Sequence, residues 1–343
     1  MFSEITKERF RRFQKMKRAY YSLWILGTLT VLSLFSEAIA NDHPLYLRYE
    51  GRSYFPVLFF YPGTAFGLEN RTEADYVVLR NDEQFRAKAF MIMPPIPHAP
   101  SRSNIDRATP PPHPPSFDHL LGTDRQGRDI LARLIYGFRI CMLFSLALVL
   151  FGGLLGVVIG GIQGYVGGRT DIVTQRLIEI WSALPFLYVV ILVGSVYGRG
   201  FGVLLFVMAL FHWIGLSYYM RAEFYRIRGL TYVQVARALG FNHWRIFFRQ
   251  ILPNAFTPLI TILPFSLIGG ITALTALDFL GFGLPPPTPS WGELLGQGLE
   301  VVRESPGLTI FTTMALFGTL MLATFIGEGA RDAFDPRSRS RVE

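Results

Sequence analysis

The sequence has one cysteine, few lysines and no phosphate-binding loop. Cys141 lies inside an apolar run, so it can form neither an intramolecular disulfide nor a cysteine-based metal cluster. No lysine follows Lys88 and none follows a glycine, so the G-x-x-x-x-G-K-S/T pattern is absent from the 343 residues. This excludes ATP binding by a P-loop. No nucleophile-and-base signature is found, so the sequence gives no support to an enzyme.

The six histidines follow no metal-ligand spacing, and the sequence predicts no metal site and no cofactor. His98, His113 and His119 lie in or beside a proline-rich segment. His212 lies in an apolar run, where it is either a packed, hydrogen-bonded histidine or a contact for a proton or substrate.

Long hydrophobic runs are abundant, and half of the residues are hydrophobic. A helix that crosses a bilayer needs about 20 mostly apolar residues. The first run is longer than the apolar part of a signal peptide, so we expect an uncleaved anchor. The sequence therefore predicts an all-α membrane protein with six transmembrane helices, at residues 20–40, 138–162, 177–197, 201–220, 254–277 and 308–327.

Lysine and arginine are concentrated in alternate loops, which predicts the orientation. The two short loops expected outside, 198–200 and 278–307, carry one arginine each. The segments expected inside are 1–19 with seven basic residues, 163–176 with two, 221–253 with six and 328–343 with four. We therefore expect both termini in the cytoplasm. Membrane orientation accounts for the net charge of +8, so nucleic acid is not an expected partner.

Residues 41–137 form a long predicted periplasmic insert between the first and second spans, ending in a lead-in helix. Its early half mixes aromatic and turn residues, which fits a few strands or a small lobe. Residues 94–115 hold nine prolines, a composition typical of an extended, semi-rigid strap. The rest is a predicted five-helix core, 138–327, containing the cytoplasmic loop 221–253, and a cytoplasmic tail, 328–343.

Residues 232–253 are half polar yet lie between two apolar runs. Tyr232, Val235, Ala236 and Leu239 recur at the spacing of one helix face. Gly240 is expected to end this helix because glycine accepts the left-handed conformation.

A second short helix is predicted directly after Gly240. Asn242 is a good N-cap for it, and Pro253 interrupts its hydrogen-bond ladder. Its apolar face is predicted to consist of Trp244, Phe247, Phe248 and Ile251.

Three hypotheses fit this pair of helices. A DNA-reading helix-turn-helix has a similar pattern, but here it would be tethered to the membrane at both ends. A helix in the lipid headgroup layer would direct its arginines toward anionic lipid. A docking element would insert into a groove on a soluble partner, and the small residues Ala236, Ala238 and Gly240 would allow close approach.

The segments "YVQVARALG" and "ILPNA" resemble the EAA loop of ABC-importer permeases of the dipeptide/oligopeptide/nickel family. Gln234-Val235-Ala236 occupies the position of Glu-Ala-Ala, so the glutamate and the first alanine are replaced. In that family the loop forms a helix seated on a cytoplasmic ATPase. The resemblance implies that the ATPase-coupling residues are Tyr232, Gln234, Val235, Ala236, Arg237, Ala238, Leu239, Gly240, Leu252 and Pro253.

Three further segments resemble the same family. These are "LGTDRQGRDILARLIYG" at 121–137, the outside loop "LDFLGFGLPPPTPSWGELL" at 277–295, and "IGEGARDAFDPR" at 326–337. "EAIANDHPL" and the length of the insert resemble the Yej-type subgroup, which is associated with uptake of peptides and microcin C.

The resemblance implies a type I ABC-importer fold in a bacterial inner membrane. The chain would be a non-catalytic permease subunit that moves peptides or peptide-like solutes by alternating access. Its implied partners are a second, homologous permease, two cytoplasmic ABC ATPase subunits or domains, a periplasmic substrate-binding protein and the lipid bilayer. A membrane-anchored sensor or scaffold without transport activity is the alternative.

Two patterns concern the inside of the helix bundle. Gly152, Gly156, Gly160 and Gly164 are spaced four apart and predict a smooth strip for helix packing. Prolines 185, 258 and 264 are expected to kink their helices. Two interpretations remain for four threonines, which either line a translocation path or bond back to their own backbone: Thr257, Thr261, Thr272 and Thr275.

Overall fold

The structure is a computed structural model that describes residues 4–69, 71–104 and 110–334. Three short strands are β1 (Tyr46–Tyr49), β2 (Arg52–Tyr54) and β3 (Ala89–Ile92). The helices, in chain order, are α1 (Glu4–Lys15), α2 (Lys17–Ser33), α3 (Ser36–Ile39), α4 (Tyr76–Asn81), α5 (Glu83–Lys88), α6 (Ile130–Val166), α7 (Gly168–Ser182), α8 (Phe186–Tyr197), α9 (Phe201–Arg228), α10 (Thr231–Ala238), α11 (His243–Ile246), α12 (Leu252–Phe279), α13 (Trp291–Glu300) and α14 (Pro306–Phe334).

Four helices in the described residues are long and apolar enough to cross a bilayer: α6, α9, the Leu259–Phe279 part of α12, and α14. The pair α7 and α8 is long and apolar enough only when taken together, and its 70° bend makes it either a broken span or a re-entrant loop. The sequence predicts six spans, and the described helices give four, or five if the bent pair counts as one.

Two predicted spans differ from the helices that form. The predicted span 177–197 is two helices, because Pro185 takes an extended conformation as the N-cap of α8 and disfavours helix in the residue before it. The predicted span 20–40 is shorter, since α2 ends at Ser33, whose hydroxyl donates to the carbonyl of Thr30 at 2.7 Å.

The described residues fall into two compact units. The first comprises the described parts of Met1–Gly27, Cys141–Pro285 and Phe317–Glu343. The second comprises the described parts of Thr28–Ile140 and Pro286–Leu316.

In the first unit, α6 meets α9 along the four glycines spaced four apart. A Cβ on Gly156 would lie 2.9 Å from the carbonyl oxygen of Trp213, and one on Gly160 would collide with the carbonyl oxygen of Ser217. At one end of the strip, a Cβ on Gly152 would lie 3.0 Å from the ring of His212, which therefore packs onto this glycine. Glycine is required here because two helix backbones touch without intervening side chains.

In the first unit, the first two helices also contact the last helix, α14. Phe13 of α1 and Ala19 of α2 share a buried apolar cluster with Ala330 and Ala333 of α14. Gly329 approaches Ala19 so closely that a Cβ would overlap the alanine methyl group. The start of α2 and the end of α14 therefore lie side by side.

In the second unit, residues 46–92 form a lobe with a three-stranded antiparallel sheet in the order β2-β1-β3. Leu47 of β1 pairs with Tyr54 of β2 and Met91 of β3. The prediction of an all-α protein is therefore wrong for the insert, although the few strands considered for it are present. The side chains that fill the lobe's core are Leu47, Phe66, Ala74, Tyr76, Leu79 and Phe85.

The described part of the proline-rich strap before residue 105 is fastened within this second unit. Ile96 donates to the carbonyl of Ile39 and accepts from the amide of Asn41, both at 3.0 Å. Arg102 donates to both carboxylate oxygens of Asp75, at 2.9 and 3.0 Å. Residues 105–109 of the strap lie outside the described part of the chain.

The segment 121–137 is the start of α6 and the turn before it, without a separate lead-in helix. Asp129 caps α6 by accepting from the amide of Ala132 at 2.7 Å. Gly122 has φ +83°, and a Cβ there would meet the carbonyl oxygen of His113 at 2.5 Å. A left-handed backbone and a close approach therefore both require glycine at this position.

Two buried arginines join this segment to α13 within the second unit. Arg128 contacts Asp124 at 2.7 Å and Glu293 at 2.8 Å, and Arg133 contacts Glu293 at 2.5 Å. Trp291 donates from its indole nitrogen to the carbonyl of Leu134 at 3.0 Å. Residues of two quoted motifs, 121–137 and 277–295, are therefore joined in the structure, although the two motifs lie far apart in the sequence.

The glycine strip generates a prediction for α6. Gly160→Ala is expected to destabilise the protein although alanine is the better helix former by about 1 kcal/mol, because its methyl group collides with the backbone of α9. Gly153→Ala is the matched control, since its Cβ has 3.7 Å to the nearest atom. Thermal unfolding of both variants in detergent measures the difference. Equal melting temperatures would contradict the close contact.

Candidate functional site

The segment that sequence analysis singled out, residues 232–253, lies wholly in the first unit. Its first helix, α10, is separated from the end of α9 by two residues, Gly229 and Leu230. Gln234, which stands where the family's glutamate is expected, donates its amide to the carbonyl of Gly229 at 3.1 Å. This residue therefore helps to fix the corner between α9 and α10.

The helix α10 ends in a Schellman motif at Gly240. The amide of Phe241 donates to the carbonyl of Ala236 at 3.1 Å, and the amide of Gly240 donates to the carbonyl of Arg237 at 3.0 Å. Gly240 has φ +76°, the left-handed conformation that this motif requires. Apart from its chain neighbours, no atom of the described residues lies within 4 Å of where its Cβ would be. The need for glycine is therefore conformational and not steric.

The predicted apolar face of α10 is divided between the interior and the surface. Ala236 is buried together with Val233, a residue that the predicted face did not include. Tyr232, Val235 and Leu239 are 43%, 50% and 68% exposed. Because these three recur at i, i+3 and i+7, they form one apolar stripe on the outside of α10, and we call it the α10 stripe.

Two other predicted coupling residues also have exposed positions. Ala238 lies exposed in the last turn of α10. The Arg237 guanidinium lies 5.1 Å from the ring centroid of Tyr165, a cation–π geometry.

The second helix begins as predicted but does not end at Pro253. Asn242 caps α11 by accepting from the amide of Trp244 at 3.0 Å. Residues Phe247–Ile251 then form a π-helical turn that leads directly into α12. The amide of Leu252 donates five residues back, to the carbonyl of Phe247.

The interruption expected at Pro253 does not end the helical path, since Leu252 and Pro253 both lie in the first turn of α12. Proline lacks an amide hydrogen and its ring clashes with the carbonyl four residues earlier. The wider π turn before it accommodates this defect without a break in the helical path.

The apolar face predicted for the second helix is also divided. Phe247 and Ile251 are buried, whereas Trp244 and Phe248 are 69% and 51% exposed. The two exposed rings stack at 5.7 Å with an interplanar angle of 11°.

The segment that contains α10 and α11 contacts the start of α12 in two ways. Val233, Ile246, Ile251 and Ala255 are completely buried in one apolar cluster. The side chain of Asn254 also donates to the hydroxyl of Tyr232 at 3.1 Å. The segment 231–251 is therefore packed firmly onto the start of α12.

An apolar groove of about 820 Å³ lies beside α11, and its lining includes Trp244 and Phe248. Arg228 and Arg237 also line it. Apolar side chains next to arginines suit the headgroup-layer hypothesis as well as docking.

The threonines of α12 have different surroundings. Thr275 is buried and donates its hydroxyl to the carbonyl of Ile271 at 2.8 Å, which is the back-bonding interpretation. Thr272 is exposed and Thr261 is half-buried. The side chain of Thr257 lies outside the described part of the structure.

Comparison with known proteins decides between a permease and unrelated membrane proteins. Residues 152–340 match the family described as "Binding-protein-dependent transport system inner membrane component". The chain belongs to this family. It is accordingly a helical inner-membrane permease of the type I ABC-importer family, a non-catalytic transport subunit whose ATPase is on a partner chain.

Relatives extend the likeness beyond the family region. The chain is 43% identical to the peptidoglycan transport system permease protein YejE of Agrobacterium fabrum, over 99% of this chain and 95% of that protein. It is 44% identical to the inner membrane ABC transporter permease protein YejE of Escherichia coli, over 97% and 98%. The dipeptide transport system permease protein DppC of Bacillus subtilis is 35% identical over 66% of this chain and 71% of its own length.

A solved structure of the MetNI methionine ABC transporter in inward-facing conformations contains a chain similar to this permease. The superposed region covers 60% of this permease and 97% of the chain in the solved structure, with a TM-score of 0.49 and 13% identity.

The Schellman motif generates a prediction for Gly240. Gly240→Val is expected to cost roughly 1–3 kcal/mol locally, because a β-branched residue is strained at positive φ. Gly240→Asn is the matched control, since asparagine tolerates this conformation. Hydrogen exchange of residues 231–246 should accelerate in the valine variant only. Equal acceleration in both variants would mean that side-chain bulk, and not backbone conformation, is what matters.

Proposed function

We propose that this permease carries peptides or peptide-like solutes across the inner membrane. The observation that carries the proposal is the likeness along almost the whole chain to relatives named as YejE permeases, one of them for peptidoglycan transport. Shorter matches to permeases named for dipeptide and oligopeptide transport support the same class of cargo.

We propose the predicted topology of six spans with both termini in the cytoplasm. The packing of α1 and α2 on the end of α14 supports this, because it puts both ends of the membrane region on one side. An even number of crossings is then required. Counting α2, the bent pair of α7 and α8, and the four long apolar helices gives six. Residues 41–137 would then be a periplasmic insert between the first two spans.

We propose that residues 231–253 dock on an ATPase and transmit its movement. The α10 stripe leaves three apolar side chains exposed to a partner, while the opposite side of α10 is buried against the start of α12. Closure of the ATPases would push α10, and the Schellman motif and the π turn would carry the displacement into α12. Alternating access follows if α12 moves against its neighbours.

The proposed assembly contains a second, homologous permease, two ABC ATPase subunits or domains and a periplasmic substrate-binding protein. Family membership supports ATPase and binding-protein partners, since the family is that of binding-protein-dependent systems. Thr272, exposed on α12, is the threonine we propose for the translocation path.

Site-specific photo-crosslinking tests the docking surface. In a Cys141→Ser background, probes attached at Val235→Cys and Leu239→Cys are expected to label an ATPase. A probe at Ile180→Cys, a residue of α7 that is 69% exposed, is the control and is expected to label lipid. Labelling of lipid alone from positions 235 and 239 would replace docking by the headgroup-layer hypothesis.

Uptake of labelled short peptides tests the cargo. Cells that lack this chain are expected to lose ATP-dependent uptake, and the wild-type gene should restore it. Restoration by Gly240→Asn but not by Gly240→Val would connect uptake to the coupling turn. Unchanged uptake in cells without the chain would contradict peptide cargo. An ATPase crosslink without substrate-stimulated ATP hydrolysis would favour a sensor or scaffold.

A further inference from the structure

Three potential metal ligands meet in the second unit, although the sequence predicted no metal site. His98, Asp118 and His119 each place one ligand atom within 4.8 Å of the other two. We propose that these side chains form a binding site for a divalent transition-metal ion of the Zn²⁺ class. The proposal does not depend on the cargo or on ATPase docking.

His119 is already held in the orientation of a metal ligand. Its Nδ1 lies 2.8 Å from Oδ2 of Asp129, and both side chains are 2% exposed. A carboxylate that accepts the Nδ1 hydrogen leaves Nε2 as the atom with a lone pair, as in most metal-binding histidines. Asp129 is itself fixed, because its other oxygen accepts from the amide of Ala132 at the start of α6.

Asp118 lies between the two histidines. Its carboxylate oxygens are 3.6 Å from Nε2 of His98 and 3.7 Å from Nε2 of His119. The centroids of the two imidazole rings are 4.3 Å apart. Two imidazoles and one carboxylate are a donor set that zinc uses, with a further position left for water or another ligand.

Metal binding requires short movements of two ligands only. Zinc–ligand distances are about 2.0–2.2 Å, so the present atoms must approach a common point. The side chains of His98 and Asp118 are 20% and 57% exposed and have room to turn. At the two imidazoles, metal bonds would replace the hydrogen bond from His98 Nε2 to the carbonyl of Asp118 and the one between His119 Nε2 and Asn104.

The position of the ligands indicates what the ion would do. His98 lies in the proline-rich strap, and Asp118 and His119 lie just before the segment that leads into α6. An ion shared by them would clip the strap to the start of α6. Because binding to the folded state stabilises it by mass action, the second unit should resist protease better with Zn²⁺ than without.

Zinc titration of the full chain tests the site. The protein is purified in detergent without a polyhistidine tag, stripped with a chelator and titrated with Zn²⁺ against a chromophoric competitor. We expect one equivalent to bind, and His98→Ala and Asp118→Asn each to weaken binding at least tenfold. His43→Ala is the matched control, because His43 also contacts carboxylates, those of Asp42 and Glu73, but lies outside the cluster.

Cobalt substitution gives an independent readout. Co²⁺ bound by two imidazoles and a carboxylate should show visible absorption, which His98→Ala should abolish and His43→Ala should keep. Circular dichroism confirms that the variants are folded. Absence of zinc binding in the wild type, or equal binding by folded His98→Ala and Asp118→Asn, would overturn the site. Neither result bears on peptide uptake, so failure here is distinct from failure of the proposed transport function.

Discussion

The proposed coupling depends on the apolar cluster that joins α10 to the start of α12. Val233, Ile246, Ile251 and Ala255 have no exposed surface. Protein interiors are close-packed and transmit displacement because they have low compressibility. If the cluster were loose, movement of α10 would be absorbed locally and would not reach the membrane. The close contact of α6 with α9 also limits local movement, because it fixes the helix that precedes α10.

The second unit is held together by a different kind of interaction. Buried ion pairs of Arg128 and Arg133 with Asp124 and Glu293 join the start of α6 to α13. Buried charges contribute little net stability, but a missing partner is costly. The network therefore favours one arrangement of these segments. The strap is fastened within the same unit by backbone hydrogen bonds of Ile96 and by the ion pair of Arg102 with Asp75.

Local chemistry made several features of residues 231–253 predictable. The left-handed turn at Gly240 and the cap at Asn242 each depend on one residue and its immediate neighbours. The sequence misplaced the apolar faces, because it shows which residues share a helix face but not which neighbour covers that face. It also misjudged two prolines: Pro185 separates two helices, whereas a π turn admits Pro253 into α12.

By itself, the sequence determined membership of a membrane permease family, the apolar runs and the local turn chemistry, because these depend on residues close together in the chain. Tertiary structure decided the rest. It divided α10 into a buried side and an exposed stripe, joined Glu293 to arginines more than 150 positions earlier, and brought His98 to within reach of His119. Such contacts depend on how distant parts of the chain pack together in three dimensions, and this cannot be read from residue spacing in the sequence.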